Sequence, residues 1–504
     1  MQPITGDLPS LGPECWPNGA YPRARLPERV LQFGTGMLLR AVCGAAVDAA
    51  NRLGRFNGRI LVVQSTPHGA ASAMNAQDGL FTLVERGVVD GAPVERMRLV
   101  GAISRALRAD TQWAAVCEAV ARPELQVVVS NVTEAGFRPD DPFPTRLTDL
   151  LHTRFTRLPA GPPLFVIPTE LVPNNGTRIA EMVEQRAPTG TPGKAFRAWL
   201  ASNVRFCSSL VDRITTGLPA PAVHAELEAR LGYHDALLTI TEPHCLWAVA
   251  TDPAALAQAF PIAAPPTVMF APNIGFYSER KLRLLNGAHT AVAPLAILAG
   301  VATVRTAAEH PRLGPFLRRI LFDEIVPSTD LPADAATAFA RSVVDRFRNP
   351  WIEHAWQVIA TNQTAKVRVR VLPSVTGFVA ARGRVPSGLV LAYATYLRFM
   401  RCVTQLSLAE GRGWWRGESY PIHDVDLPIL AGHWAALDPD RGAGPVPTPI
   451  LERLAARVLS DTTLWGTNLA SIPGFAEATT SALRLVEECG VDAAVEALGP
   501  VSAR

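Results

Sequence analysis

No CxxC pair occurs in the 504-residue chain, and its seven cysteines, at 15, 43, 117, 207, 245, 402 and 489, are an odd and dispersed set. That pattern excludes a disulfide scaffold and predicts reduced thiols in a cytoplasmic protein. The ten histidines never fall closer than ten residues apart, so there is no local metal-ligand pair and no metal is expected. A zinc site assembled from distant residues stays open. No Lys/Arg block of five or more appears, and 48 basic against 45 acidic residues leave a formal charge of only +3. A nucleic-acid partner is therefore not expected. The start, Met1-Gln-Pro-Ile-Thr-Gly-Asp7, lacks a basic region followed by an apolar one, and no secretory leader is expected. The longest apolar stretch, Gly287 to Val304, is interrupted by His289 and Pro294 and reads as a buried helix, with no membrane partner expected.

What is present is a large apolar core. Hydrophobic residues make up 48% and charged residues 18%, which excludes a disordered chain. The length predicts two or three domains, with roughly three quarters of the unfolded surface buried.

Residues 1–27 are rich in Pro and Gly and read as an irregular lead-in. Arg29-Val-Leu-Gln-Phe33 is a strand, Met37 to about Arg52 a helix, and Arg59–Gln64 a second strand, completing a strand–helix–strand unit. Further strands are predicted at 80–89, 94–100, 125–130 and 164–168, with a hairpin turn at Asp90-Gly91 and helices at 110–121 and 145–155. Strands alternating with helices argue for an α/β fold with a mainly parallel sheet in the first half. From about residue 277, helical patterns dominate: 278–299, 333–347, 388–405, 449–459 and 479–488. The expected domains are 1–270 and 271–504, the second mainly helical, with the boundary near the Pro-rich segment 263–272.

Strand, then Gly34-Thr35-Gly36, then helix is the order that presents backbone N–H groups to a pyrophosphate at a helix N-terminus. Leu39 stands where GxGxxG has its third glycine, so the fingerprint is incomplete. The second strand ends Gln64-Ser-Thr-Pro67, with neither an acidic residue for a ribose hydroxyl nor an Arg for a 2′-phosphate, so these residues leave NAD and NADP both open.

The segment Lys281-Leu-Arg-Leu-Leu-Asn286-Gly-Ala-His289-Thr290 carries the chemistry. On an α-helix, Asn286 lies roughly 140° and His289 roughly 80° around from Lys281, spread over about 12 Å of axis. One ammonium, one amide and one imidazole then share an arc, which is what carbonyl reduction needs: a proton donor and partners for the developing oxyanion. Spacing alone also fits a structural reading in which Lys281 snorkels, Asn286 caps and His289 sits satisfied in the core. Trp414-Trp415 reads as a carbohydrate platform or, more simply, as an exposed or partner-facing loop, and His234-Asp235 as a catalytic pair or a structural hydrogen bond.

Taken in order, these segments resemble the polyol-specific long-chain dehydrogenases, the mannitol dehydrogenase family. The similarity is carried by Gln32-Phe-Gly-Thr-Gly36, Asn75-Ala-Gln-Asp-Gly79, Ser130-Asn-Val-Thr-Glu-Ala-Gly136, Phe206–Arg213, Gly232-Tyr-His-Asp235 and Glu242–Trp247. Glu279-Arg-Lys281, Leu285–Thr290 and Arg346-Phe-Arg-Asn-Pro350 extend it. The resemblance implies a metal-independent enzyme using NAD(H), with a Rossmann-like dinucleotide-binding domain followed by a helical substrate domain. It implies Lys281 as general acid and base, and Asn286 and His289 as carbonyl-polarising donors. Gly34, Thr35, Gly36, Gln64, Ser130 and Asn131 become cofactor contacts, and Glu170, Asp212, Arg213 and Arg348 substrate contacts.

Pro168-Thr-Glu-Leu171 is similar to the keto-hexuronate branch, with tagaturonate and altronate as the expected pair. Thr35, Met37, Thr169 and Asn362-Gln-Thr364 depart from that pattern. The other readings are a fructuronate reductase, a mannitol-type polyol 2-dehydrogenase or, from another class, an inactive dinucleotide-binding sensor. Intact Lys281, Asn286 and His289 argue against the sensor, which needs no acid. A uronate carboxylate requires a cation, supplied by Arg213 or by the basic group Arg346, Arg348, Lys366, Arg368 and Arg370.

Overall fold

A computed structural model describes Ile4 and residues 25–132, 136–438 and 444–499. Most of the Pro/Gly-rich lead-in, Cys15, and Thr133-Glu-Ala135 of the matched motif lie outside the described residues. The chain divides into two compact units, residues 1–87 with 93–277, and residues 88–92 with 278–504.

The first unit carries β1 (Glu28–Phe33), β2 (Arg59–Gln64), β3 (Phe81–Val89), β4 (Ala92–Val100), β5 (Ile103–Arg108), β6 (Val127–Ser130), β7 (Leu164–Pro168) and β8 (Val204–Phe206). Six of them form one parallel sheet in the order β5-β2-β1-β6-β7-β8. Alternate residues serve its two faces. Val30, Ile60, Val62, Val127 and Val129 pack into one apolar cluster, while Leu31, Phe33, Leu61, Val63 and Val128 pack into the other. A strand buried on both faces must be apolar throughout, which is why these runs read so clearly in the sequence. β1 runs to β2 on one side, whereas β6 lies on its other side, so the strand order reverses between β1 and β6. In such sheets the crevice beyond the strand C-termini at this point is where ligands bind.

The hairpin turn at Asp90-Gly91 has φ of +51° and +78°, as a type I′ turn requires. Strand β5 and the short strands β9 (Ser209–Asp212), β10 (Thr239–Thr241), β11 (Leu246–Ala250) and β12 (Val268–Ala271) were not anticipated, nor were helices Asn175–Arg186 and Gly190–Asn203.

Residues Gly275–Leu298 are helical, those from Ser278 onward belonging to the second unit, with Lys281–Gly287 in an i→i+5 turn. Among the described residues no helix is long and apolar enough to cross a membrane. The helix expected to run to residue 405 stops at Phe399, and Cys402–Gln405 is a strand paired with Glu410–Trp415, which pairs in turn with Glu418–His423. The β-branched Val403 and Thr404 favour that extended course. The tryptophan pair thus sits in a sheet rather than a loop: Trp415 is buried, with the Arg398 guanidinium 4.7 Å above its ring.

Helix Ser387–Phe399 has no side-chain cap of its own. Instead Glu324, from the 319–325 turn, accepts hydrogen bonds from Gly388 N (2.8 Å) and Leu389 N (2.7 Å) while buried. Replacing Glu324 with Ala strands two buried N–H groups, so Glu324→Ala should lose ~2–4 kcal/mol. Thermal melts should register that loss, with Glu324→Gln falling between the two because its amide oxygen still accepts.

Candidate active site

At the C-terminal end of β1 the chain turns through Gly34, whose φ is +116°. A Cβ there would lie 2.8 Å from the Asn131 carbonyl oxygen, a distance no side chain tolerates. Glycine is required at this position by both conformation and space. Gly36 differs: nothing lies within 4 Å of where its Cβ would be, it is exposed, and it offers no side-chain cap to the helix beginning at Met37. The turn is held from several directions. Gly34 N donates to Val63 O (3.0 Å), Gln32 Nε2 to Gly34 O (2.9 Å), and Ala70 N to Thr35 Oγ1 (3.2 Å). Arg40 donates through Nη1 to Thr35 O (2.6 Å) and through Nε to Thr239 Oγ1 (3.0 Å). Burial lowers the Arg40 guanidinium to about 10, with Asp235 opposing the shift. Neither Gln32 nor Arg40 stood out in the sequence, because a brace is recognisable only from the group it braces.

On the neighbouring strand, Asn131 N donates to Phe33 O (3.0 Å), and its side chain donates to Thr169 Oγ1 (3.0 Å). Ser130 Oγ donates to Glu170 Oε2 (3.1 Å), and Val132 N to Glu170 Oε1 (2.9 Å). Burial raises the Glu170 carboxyl despite those bonds. Gly34, Thr35, Gly36, Ser130 and Asn131 are thus brought together at the strand-order reversal, and Glu170 clamps the 130–132 segment with both oxygens. Gln64 stands at the end of β2, but its amide is spent locally: Nε2 donates to Thr66 O (2.9 Å) and Oε1 accepts from Ala71 N (3.0 Å).

Asp212 and Arg213 are buried in the same unit. Asp212 Oδ2 lies 3.3 Å from His244 Nε2. The Arg213 guanidinium pairs with Glu85 and donates to Ala41 O (2.7 Å), Thr241 Oγ1 (2.9 Å) and Glu242 O (3.1 Å). Desolvation compels the donors of Arg213, expected as a substrate contact, to find acceptors within the unit. His234-Asp235 is likewise no couple. Asp235 accepts from Thr82 N, Gln77 Nε2 and Leu237 N, while His234 Nδ1 reaches Glu228 Oε1 at 2.6 Å.

In the second unit, Lys281, Asn286 and His289 lie on one helical segment, but its i→i+5 turn departs from the α-helical spacing expected. Such a turn brings residues five apart closer to alignment than the roughly 140° of an α-helix. Lys281 and Asn286 are half-buried and His289 is buried. The imidazole stands 4.2 Å from the Phe347 ring, 5.2 Å from His354 and 6.2 Å from Trp356, centroid to centroid. Thr290 Oγ1 donates to Asn286 O (2.7 Å). His354 was not foreseen; burial lowers its pKa and Lys366 adds to the shift. Lys366 donates to Ile359 O (2.8 Å) and is lowered to about 8 by burial and by Arg370, with Asp424 opposing. Arg348 is exposed at the end of helix Ala333–Phe347. Among the described residues no group of three or more His, Cys, Asp or Glu side chains is placed to hold a metal.

A parallel nucleotide-type sheet with a glycine turn at its strand-order reversal, followed by a helical unit presenting Lys, Asn and His, defines a dehydrogenase acting on CH–OH groups. Residues 28–260 match the mannitol dehydrogenase Rossmann domain, and residues 273–409 match the mannitol dehydrogenase C-terminal domain. The chain belongs to the mannitol dehydrogenase family. It is 36% identical over 496 residues to the altronate oxidoreductase of Cronobacter sakazakii, covering 95% of this chain and 98% of that one. It is 32% identical over 483 residues to that of Bacillus subtilis, covering 93% and 95%. The fold also matches a solved Pseudomonas fluorescens mannitol 2-dehydrogenase ternary complex with NAD and D-mannitol, at TM-score 0.68 and 22% identity over 99% of both chains.

The chain has only three lysines, at 194, 281 and 366. Reductive ¹³C-methylation should therefore give a resolvable NMR titration in which Lys366 has its midpoint near pH 8, rising in Arg370→Met but still held below the ordinary lysine range by burial. A midpoint above about 10 would contradict the buried, cation-flanked setting.

Proposed function

We propose that this chain is an NAD(H)-dependent oxidoreductase that interconverts tagaturonate and altronate. The observation that carries this reading is the near full-length similarity to altronate oxidoreductases together with an intact Lys281, Asn286 and His289. The first unit is the dinucleotide-binding domain and the second the substrate domain. An intracellular, cytoplasmic setting is consistent with the six described cysteines, none of which is in a disulfide.

The glycine turn suits a dinucleotide. Gly34 permits the close pass of Asn131, Gly36 leaves open space, and the uncapped N–H groups from Met37 onward are suited to a pyrophosphate. NAD, when bound, supplies or takes up the hydride. Thr35, Ser130 and Asn131 would line its site, with Gln64 shaping the loop beside it and Glu170 holding the 130–132 segment rather than meeting substrate.

The remaining work belongs to the helical unit. In reduction, the Asn286 amide and the His289 ring donate to the keto oxygen and hold the negative charge that develops there. Lys281 then delivers its proton to that oxygen, leaving a neutral amine and a secondary alcohol. In oxidation Lys281 accepts the hydroxyl proton, and the same two donors stabilise the alkoxide. The helix supplies these groups in a fixed order, so they need little reorganisation as charge develops.

NADH oxidation measured on tagaturonate, fructuronate and fructose tests the assignment. Tagaturonate should exceed fructose by ~100-fold or more in kcat/KM, within reach of one charge-assisted contact. Equal efficiency for fructose and tagaturonate would reject the sugar-acid reading in favour of a polyol dehydrogenase. Lys281→Ala should lower kcat at least ~100-fold while NADH affinity, read by fluorescence, stays within a few fold. Retention of more than about a tenth of kcat would remove Lys281 from the proton-transfer role.

A further inference from the structure

A sugar acid brings a carboxylate that needs a cation in a site of restricted water. Two of the candidate cations are already committed. Arg213 is enclosed by its own acceptors, and Arg368 donates to Leu464 O (2.6 Å) and pairs with Asp426 at 3.2 Å. Arg370 differs. Its Nη1 donates to Thr290 Oγ1 over a long 3.3 Å, and its Nε is buried without an acceptor.

Its location is defined by packing within the helical unit. Residues Val367–Val371 form a second i→i+5 turn that abuts the first at Gly287, where a Cβ would lie 3.4 Å from the Arg370 carbonyl oxygen. Thr290, which accepts from Arg370, follows His289 directly and donates to the Asn286 carbonyl at 2.7 Å. Gln363 Nε2 fixes the Thr290 carbonyl at 2.6 Å. The guanidinium is therefore tethered to the same stretch of helix that carries the amide and imidazole.

The charges around it are unbalanced. Arg370 and Lys366 are both half-buried and repel each other. Asp424 is the carboxylate that acts on Lys366, but its oxygens accept from Thr364 N, Thr364 Oγ1 and Asp426 N. A half-buried guanidinium with an unused donor, beside a second cation, is a setting that an incoming anion stabilises.

We propose that Arg370 is the specificity-determining contact for the substrate carboxylate, donating a fork of N–H groups to it from beside Thr290. The proposal rests on the sugar-acid reading above and names the residue responsible for it. Lys366 contributes background positive charge, and Arg348, exposed at its helix end, does not take part.

The test compares full-length enzyme, Arg370→Met and Arg370→Lys with NADH, each on tagaturonate and on fructose. The ratio of the two kcat/KM values is the readout, since a general loss of folding or of hydride transfer leaves it unchanged. Arg370→Met should lower that ratio at least ~50-fold, mainly through KM for tagaturonate, while kcat/KM for fructose stays within about threefold. Arg370→Lys, which keeps the charge but not the fork, should lower the ratio by roughly 5–20-fold. A ratio preserved in both variants overturns the proposal, and so does preservation in Arg370→Lys if Arg370→Met does not fold. An unsubstituted enzyme without preference for tagaturonate overturns the functional reading itself, a result distinct from a preference that survives the substitution.

Discussion

Much of the first unit is organised around one close approach, that of the Asn131 carbonyl to the backbone at Gly34. The parallel register that sets Phe33 beside Ser130 leaves no room for a side chain where the two strands end. The surrounding braces make sense as consequences. Gln32, Arg40 and Ala70 hold the turn, and Glu170 holds the opposing 130–132 segment with both carboxylate oxygens. A turn that must present bare N–H groups outward needs its other polar groups satisfied from behind.

The helical unit follows a related logic with a different device. Two i→i+5 turns, Lys281–Gly287 and Val367–Val371, meet where Gly287 has no side chain. A wider turn costs hydrogen-bond quality but redirects side chains, which is why such turns recur at functional sites. Here one turn carries the lysine and the amide, and the other carries Arg370.

The distribution of basic residues fits the two roles. Only three of 48 are lysines, and two of these, Lys281 and Lys366, lie in the helical unit, while Lys194 is exposed. Arginine, with five donors and a charge that persists on burial, serves as a brace at Arg40, Arg154 and Arg213. Lysine is the side chain whose proton can be made available by its surroundings, and Lys366, at about 8, illustrates the effect.

The sequence by itself determined the parallel sheet, since strands buried on both faces must be apolar along their whole length, and β2 and β7 stand where their apolar runs do. It also determined the glycine turn and the order Lys281, Asn286, His289, because both are local in the chain. Tertiary structure decided the rest. The short strands β9 to β12 have too few residues for a period to register, and Cys402–Gln405 became a strand only through partners at 410–415. Arg213 and Arg370 are the same residue type, and both were candidates for the substrate carboxylate. One is surrounded by acceptors from three other places in the chain, and the other keeps a donor unused. Which arginine is spent and which is available depends on groups distant in sequence, and local pattern carries no record of them.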